Sequence, residues 1–372
     1  MSYQALARRW RPRQFADVVG QESTVTALTA ALTQDRVHHA FLFAGTRGVG
    51  KTTLARLLAK ALNCDGGVSA EPCSKCDACI AVDEGRYVDL IEVDAASRTR
   101  VDDTRELLDN VQYAPTMGRF KVYLIDEVHM LSGHSFNALL KTLEEPPSHV
   151  KFLLATTDPQ KLPPTILSRC LQFNLRALQV IEIVSQMEKI LKSEAVEFDV
   201  DALNTLARAA AGSMRDGLSL LDQAIAFGSG TVAGGAIRDM LGMIETRQVE
   251  QLIRALAEAD VAALLEVVEA LRERALDYQL VLDDLLVLLH DICLYQIAPD
   301  AVDAKALDVD VIAELSELIT PEDVQLFYQI GLLGKADLPL APDPATGFEM
   351  ALLRMLLFRP DTPAGEEGVS EG

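Results

Sequence analysis

The stretch "HAFLFAGTRGVGKTTLARLLAKAL", residues 39–62, decides the fold of the first half of this chain. It contains a short apolar run at 40–44, which is typical of a buried strand. The loop between Gly45 and Thr52 fits G-x-x-x-x-G-K-[ST], and an apolar pattern with helical spacing follows it. Strand, glycine loop and helix in this order are the context in which the motif binds nucleotide phosphates. A chance glycine-rich turn would not explain both flanks.

The residues of this loop predict a site for ATP and Mg²⁺. Glycines let backbone N–H groups turn toward phosphate oxygens, and the helix N-terminus adds partial positive charge. We expect Lys51 to reach the β- and γ-phosphates and the Thr52 hydroxyl to bind Mg²⁺. The predicted phosphate-binding set is Gly45, Thr46, Arg47, Gly48, Val49, Gly50, Lys51, Thr52 and Thr53.

A second apolar run, in "RFKVYLIDEVHML" (119–131), ends in two carboxylates. Asp126 is expected to hold Mg²⁺ through water, and Glu127 is expected to polarise the attacking water. A solvated acidic turn is the alternative, but it explains poorly why both acids follow a strand. With "VKFLLATTD" (150–158), the pattern predicts strands at 40–44, 88–93, 121–125 and 151–155. Because helical segments alternate with them, we predict a parallel sheet with nucleotide at its carboxyl edge.

Four of the six cysteines lie close together, with the spacing C-x8-C-x2-C-x2-C: Cys64, Cys73, Cys76 and Cys79. Four thiolates suit a tetrahedral, structural Zn²⁺ site. An iron–sulfur cluster and unmetallated thiols remain alternatives. The surrounding insert has few large apolar residues, so a metal would supply its folding energy. Cys170 and Cys293 stand alone in apolar stretches and are predicted to be packing residues.

Charge and composition divide the chain into two different halves. Residues 1–178 carry 21 Lys and Arg against 20 Asp and Glu, whereas residues 179–372 carry 13 against 35. The acidic half would repel nucleic acid, but the neutral half need not. From Glu245 onward the spacing of apolar residues predicts four or five helices, with His290 in packing or on a solvated face. The chain lacks an apolar signal core and any uncharged run of membrane-spanning length, which predicts a cytoplasmic protein.

Five signatures together resemble one family: "RPRQFADVVGQ", "GTRGVGKTT", the cysteine cluster, "LIDEVHML" and "SRC". The chain resembles the bacterial DNA polymerase III tau/gamma family of AAA+ clamp-loader ATPases. The resemblance implies an α/β AAA+ P-loop NTPase core at 1–178 with a parallel sheet and a zinc-module insert at about 64–85. A helical lid at 179–242, an all-α oligomerisation collar at 243–360 and a disordered tail at 361–372 would follow. The longer tau form would continue further, so a gamma form or a shortened tau is expected.

The resemblance also implies roles for particular residues. It places Pro12, Val18 and Val19 against the adenine base. Thr157 matches sensor 1, which orients the attacking water. Arg169 of the "SRC" motif would act in trans on the γ-phosphate bound by the next subunit, while Arg215 matches sensor 2 and would contact phosphates of its own subunit. A surface salt bridge is the alternative for Arg169.

The family implies ATP-driven loading of a sliding clamp onto primed DNA. Its partners would be the delta and delta-prime subunits, other copies of this chain, the beta clamp, primer–template DNA and the chi/psi subunits. Arg98, Arg100 and Arg105 surround a predicted helix N-terminus and are candidates for DNA phosphate contact, although a solvated face would look the same.

Three rival functions fit part of the sequence. A Holliday-junction branch-migration motor shares the AAA+ core, but the four-cysteine insert and the third domain argue against it. A nucleotide-gated scaffold without hydrolysis would not need intact Lys51, Asp126, Glu127 and Arg169. A nucleotide kinase would need a second substrate pocket, for which the sequence shows no motif.

Overall fold

The computed structural model describes residues 5–97, 110–241, 246–273, 277–301 and 309–359. The chain divides into two compact units, Met1–Ile237 and Arg238–Gly372, here called the sheet unit and the helical unit. The finer division into core, lid, collar and tail remains a prediction. The predicted tail falls outside the described residues.

The sheet unit contains one five-stranded sheet in the order β2-β3-β4-β1-β5, and every neighbouring pair is parallel. The strands are β1 Ala40–Ala44, β2 Leu90–Asp94, β3 Lys121–Asp126, β4 Val150–Thr156 and β5 Leu171–Asn174. The four predicted strands are confirmed to within two residues. The parallel sheet places their carboxyl ends along one edge, as expected.

The fifth strand was not predicted. β5 pairs only with β1, and three of its four residues are exposed. Its sequence, "LQFN", lacks the continuous apolar run that marks the central strands β1 and β4, whose residues are all buried. An edge strand of this kind owes its conformation to pairing with its neighbour rather than to its own pattern.

Side chains of β1 alternate between two apolar layers. Phe41 and Phe43 pack in the layer that contains Leu54 and Leu58 of the helix following the glycine loop. Leu42 faces the opposite layer. Burial on both faces is typical of a central parallel strand and explains its uninterrupted apolar sequence. The sheet is thereby fixed between helices, with the loops at its carboxyl edge left for the site.

The helices of the sheet unit begin at Leu6. They are α1 Leu6–Arg9, α2 Glu22–Thr33, α3 Lys51–Asn63, α4 Asp77–Glu84, α5 Gly133–Glu144, α6 Pro164–Leu167, α7 Val180–Glu194, α8 Val200–Ala209, α9 Met214–Phe227 and α10 Gly234–Leu241, which crosses the unit boundary. Ser132 caps the start of α5, because its side chain accepts a hydrogen bond from Ser135 N. Gly212 lies between α8 and α9.

The helical unit contains six helices within its described residues, rather than the predicted four or five. They are α11 Thr246–Glu258, α12 Val261–Glu273, α13 Tyr278–Ile297, α14 Val309–Leu318, α15 Pro321–Asp337 and α16 Pro344–Leu357. α13 contributes eight buried residues and runs through the core. Thr320 caps α15, and Pro321 is its first residue. No helix in the described ranges is both long and apolar enough to cross a lipid bilayer.

The isolated cysteines and His290 take ordinary structural positions. Cys170 packs against an apolar layer of the sheet unit, and burial raises the pKa of its thiol to about 11. Cys293 packs against the helical core and accepts a hydrogen bond from Gln325. The His290 side chain is 62% exposed, so it lies on a solvated face. The predicted packing role of the two cysteines is confirmed.

Candidate active site

The glycine loop joins β1 to α3 and packs against the start of α9. Gly48 has φ +77°, and a Cβ atom there would lie 1.8 Å from the Ser213 side-chain oxygen. Ser213 is buried and caps α9 by accepting a hydrogen bond from Asp216 N. Only glycine satisfies both the backbone conformation and this close approach. The loop conformation therefore depends on a segment more than 160 residues later in the sequence.

Lys51 is the first residue of α3, and it is 6% exposed. Its Nζ donates hydrogen bonds to the carbonyl oxygens of Gly45 (2.8 Å) and Thr46 (2.9 Å). Burial lowers the pKa of the ammonium group, the carboxylates of Glu127 and Asp126 oppose that shift, and Arg215 adds to it. A partly desolvated cation on which two acids act is suited to a ligand that brings further negative charge.

The acids at the end of β3, Asp126 and Glu127, meet the glycine loop. Asp126 Oδ2 accepts a hydrogen bond of 2.8 Å from Thr52 Oγ1, and its Oδ1 accepts one of 3.1 Å from Glu127 N. A hydroxyl and a carboxylate at this distance are the oxygen ligands that Mg²⁺ prefers, directly or through water. The donor set therefore fits the predicted metal.

Glu127 is held by the end of the neighbouring strand. Its Oε2 accepts hydrogen bonds from Thr157 N (3.1 Å) and Thr157 Oγ1 (2.8 Å). The Nδ1 atom of His129 lies 3.4 Å from the same oxygen and 2.9 Å from Thr156 Oγ1. Glu127 itself has φ +47°, which turns its side chain out of the strand direction. The predicted pair Glu127 and Thr157 is thus brought together, and His129 joins it without having been predicted.

A cleft of about 920 Å³ connects these groups to an apolar end. The residues predicted to touch adenine, Pro12, Val18 and Val19, all line it, as do Arg215 and both acids after β3. Of the predicted phosphate-binding loop, Arg47 through Thr53 line the cleft, while Gly45 and Thr46 contribute the carbonyls that receive Lys51. One cavity therefore combines a phosphate-binding end with an apolar end.

The segment before Pro12 is fastened to the helices after β5. Leu6 N donates a hydrogen bond of 2.7 Å to Asp222 on α9. Trp10 Nε1 and Arg9 both bind Glu194 at the end of α7, at 3.1 and 2.8 Å. These contacts set the position of the apolar end of the cleft relative to the glycine loop.

Sequence reasoning missed eight residues that line the cleft: Ala7, Trp10, Arg11, Asp17, Leu178, Gln186, Met214 and Leu218. For the first three a signal was present, because they belong to the basic run "ARRWRPRQF" directly before the predicted adenine residues. Burial, followed by Arg56 and Arg215, lowers the pKa of Arg11. The others come from separate elements and carry no local pattern.

Arg169 is not among the residues that line this cleft. Its Nη2 lies 2.8 Å from Glu144 Oε1, and its Nη1 donates to Thr165 O at 2.7 Å. Arg98, Arg100 and Arg105, the candidate DNA contacts, lie outside the described residues.

The four clustered cysteines converge between α3 and α4. Their Sγ atoms all lie within 4.8 Å of one another, and those of Cys73 and Cys79 are 4.0 Å apart. In a tetrahedral zinc site with Zn–S of about 2.3 Å, sulfur atoms are separated by roughly 3.8 Å. Backbone N–H groups donate to the sulfurs of Cys64, Cys73 and Cys76. For Cys73, backbone hydrogen bonds lower the pKa to about 6, whereas burial raises the pKa of Cys76 and Cys79. The residues present fit a closed metal site.

Together, the glycine loop after β1, the acids after β3 and the order of the parallel strands define a P-loop nucleotide-binding protein with a helical second unit. Three family models match successive segments. They are "DNA polymerase III, delta subunit" (20–179), "DNA polymerase III clamp loader subunit, ATPase lid domain" (182–230) and "DNA polymerase III subunits gamma and tau domain III" (232–369).

Curated relatives agree with these models. The chain is 57% identical to DNA polymerase III subunit tau of Escherichia coli over 99% of its own length and 58% of that protein. It is 45% identical to DNA polymerase III subunit gamma of Buchnera aphidicola, covering 95% of this chain and 97% of that one. The chain belongs to the DNA polymerase III gamma/tau family. It spans a little over half the length of the tau relatives.

Among solved structures, the Thermotoga maritima RuvB branch migration motor matches with a TM-score of 0.47 and 19% identity. The match covers 67% of this chain and 80% of that chain.

Proposed function

We propose that this chain is an ATPase motor subunit of the DNA polymerase III clamp loader, in which ATP binding and hydrolysis drive the opening and loading of the sliding clamp onto primed DNA. The observation that carries the proposal is a single cleft that holds Lys51, the Thr52–Asp126 pair and Glu127 at one end and an apolar base pocket at the other. A cleft of this kind could serve many ATP-driven functions, and we propose clamp loading because the chain belongs to the DNA polymerase III gamma/tau family.

The residues divide the chemistry between them. The ammonium group of Lys51 would leave the carbonyl oxygens of Gly45 and Thr46 and bind phosphate oxygens instead. The carbonyls are neutral acceptors, whereas phosphate oxygens are charged and form stronger hydrogen bonds with a cation. Mg²⁺, held by Thr52 and through water by Asp126, would neutralise charge on the phosphates. Glu127 would polarise the attacking water, and Thr157 would fix the direction of that carboxylate through its two hydrogen bonds.

Arg169 would complete the site of the neighbouring subunit. Its ion pair with Glu144 is partly exposed, with side-chain exposures of 33% and 53%. Exposed pairs of this kind are worth about 0–1 kcal/mol, so exchanging Glu144 for a γ-phosphate costs little. An arginine supplied in trans can accelerate phosphoryl transfer by about 10³–10⁵. Hydrolysis would therefore require assembly.

The cysteine cluster would bind a structural Zn²⁺ through Cys64, Cys73, Cys76 and Cys79. Zn²⁺ would supply a cross-link that replaces the missing apolar core of the insert. The chain already anchors this module on its own, since Lys60 pairs with Asp83 at 2.7 Å and Arg119 donates to the Cys64 carbonyl at 2.6 Å.

The remaining assignments follow from the family. We propose delta, delta-prime, the beta clamp, further copies of this chain, primer–template DNA and the chi/psi subunits as partners, in the cytoplasm. Backbone contacts to DNA through Arg98, Arg100 and Arg105 belong to the same proposal.

Reconstitution tests the proposal against its main rival. ATP turnover is measured for the chain with delta and delta-prime, with and without the beta clamp and primed DNA. We expect strong stimulation when clamp and primed DNA are both present. Stimulation by four-way junctions instead would identify a branch-migration motor, and no stimulation by any DNA would leave a nucleotide-gated scaffold.

The trans role of Arg169 has its own test. In the reconstituted complex, Arg169→Ala should retain ATP affinity but lose stimulated turnover by about 10³ or more. Arg36→Ala is the matched control, because Arg36 is exposed and has no side-chain partner among the described residues. Loss of ATP binding in Arg169→Ala with unchanged turnover per bound nucleotide would contradict the role.

A further inference from the structure

A second cleft lies beside the nucleotide cleft, enclosed by the segment before Phe15, the helices α3 and α4, and the start of α9. It is open and larger, with about 2000 Å³ of free space. Its lining is unusually rich in one residue type, with the six arginines Arg8, Arg9, Arg11, Arg13, Arg56 and Arg215. We call it the arginine cleft.

Two of these arginines already have carboxylate partners. Arg9 binds Glu194 at 2.8 Å, and Arg56 binds Glu92 at 2.5 Å. The acids that line the cleft are also engaged elsewhere, since Asp83 binds Lys60 and Glu84 binds Arg86.

The other four, Arg8, Arg11, Arg13 and Arg215, make no side-chain hydrogen bond or ion pair within the described chain. Among the described residues these four cations therefore have no counter-charge, in a protein whose net charge is −21, and two of them, Arg11 and Arg215, also line the nucleotide cleft.

Arg11 lies among the others and is partly buried. Burial lowers the pKa of its guanidinium, and the charges of Arg56, Arg215 and Arg8 lower it further, with Glu92 opposing them. Like charges that are gathered and partly desolvated repel one another unless an anion joins them. A ligand with several negative charges would relieve this repulsion.

The lining also indicates the chemistry of that ligand. Its unpaired cations are all arginines, whose planar fork binds phosphate oxygens in pairs. The hydroxyl residues Thr53, Ser74 and Ser219 add neutral donors. None of the described residues that line the cleft is aromatic, so they offer no surface on which bases would stack. In the described part of the lining, Ile80 is the only large apolar side chain that is exposed, which leaves little to anchor a peptide.

We propose that the arginine cleft is a second anion site, which binds a chain of phosphate groups independently of the nucleotide in the P-loop cleft. The two clefts share a wall that includes Arg11 and Arg215, whereas Arg8 and Arg13 face only the arginine cleft. The phosphate chain could come from a nucleic-acid backbone or from inorganic polyphosphate. The assignment does not require clamp loading.

The test fills the nucleotide cleft first and then titrates the second site. The full chain, saturated with ADP and Mg²⁺, is titrated with an oligothymidylate of about 20 nucleotides and, separately, with inorganic polyphosphate. Binding is followed by calorimetry and by the fluorescence of Trp10, the only tryptophan of the chain, which neighbours Arg11.

Arg8→Ala/Arg13→Ala should weaken binding of the oligothymidylate about fivefold or more and reduce the salt slope of log K by about 1.4. The matched control Arg36→Ala/Lys189→Ala removes two exposed cations elsewhere and should change neither value.

Each outcome decides the proposal. Binding of the oligonucleotide, of polyphosphate or of both supports the proposal if Arg8→Ala/Arg13→Ala weakens it. The probe that binds identifies the source of the phosphate chain. Binding that survives Arg8→Ala/Arg13→Ala, or falls equally in the control, overturns it. A polyglutamate peptide that binds as tightly as either probe would overturn the phosphate class. ADP affinity measured in the same variant should stay unchanged, so failure here is distinct from failure of the nucleotide site.

Discussion

The sheet unit and the helical unit differ in how many polar residues they bury. Eleven polar or charged residues are buried in the described chain, and ten of them lie in the sheet unit. The helical unit buries one, Asp323, in a core that is otherwise almost entirely aliphatic. Burying a polar group costs free energy unless the group is paired. A unit that contains many buried polar groups is therefore one in which ligand binding or catalysis offsets that cost.

The two units should therefore respond differently to substitution. Lys51, Thr156 and Ser213 are buried at the carboxyl edge of the sheet, within or beside the nucleotide cleft. We therefore expect polar substitutions at the nucleotide cleft to change binding or turnover with little effect on stability. In the helical unit we expect the reverse. The predictions below test that division, from the largest effect to the smallest.

Removing one thiolate should abolish metal binding. Cys73 is exposed, so Cys73→Ser leaves the packing of the module almost unchanged. Structural zinc sites bind with about 10–16 kcal/mol of apparent free energy, and loss of one ligand should leave residues 64–85 open to protease. Mass spectrometry should find one zinc per chain in the wild type and in the control Cys293→Ser, but none in Cys73→Ser. Iron in the wild type would refute the zinc assignment.

Glu127→Gln should abolish turnover while ATP binding persists. The amide oxygen can still accept hydrogen bonds from Thr157, but it cannot polarise water as a carboxylate does. We expect stimulated turnover to fall about 10³-fold, or roughly 4 kcal/mol, with the melting temperature unchanged. Glu92→Gln is a comparison that alters an acid bound to Arg56 outside the P-loop cleft. Turnover that survives in Glu127→Gln would assign the base elsewhere.

Arg359→Ala should destabilise the helical unit and leave nucleotide binding intact. Arg359 binds buried Asp323 at 2.7 Å and donates to the carbonyls of Leu256 and Ala257 at the end of α11. Its removal leaves a buried carboxylate unpaired, at a cost of about 2–4 kcal/mol. Hydrogen exchange of α11 and α15 should report the loss. Arg272→Ala, which breaks more exposed pairs, should cost less than about 1 kcal/mol.

Asp284→Asn should stabilise the helical unit at neutral pH. Burial, with a smaller contribution from Asp283, raises the pKa of Asp284 to about 6. The folded state therefore holds this proton more tightly than the unfolded state, so stability falls as pH rises from about 4 to about 6. At pH 7 the neutral amide should add about 1–2 kcal/mol, and the gain should vanish near pH 4. A gain that is independent of pH would show that charge is not the cause.

Predictions from the sequence succeeded where the functional residues lie close together in the chain. The P-loop, the Asp126–Glu127 pair and the cysteine spacing were each readable because their ligands lie on one short segment with a fixed local geometry. The central strands were predicted for a similar reason, since burial on both faces demands an unbroken apolar run. Periodicity also identified the helical half, although not the number of its helices.

Only the tertiary structure decided which distant groups meet. The pairing of β5 with β1, the contact of Gly48 with Ser213, the joining of Thr157 to Glu127, and the approach of Arg56 and Arg215 to Arg11 all link segments far apart in the chain. Such contacts arise when helices and strands pack against one another, and that packing depends on the whole core rather than on any local pattern.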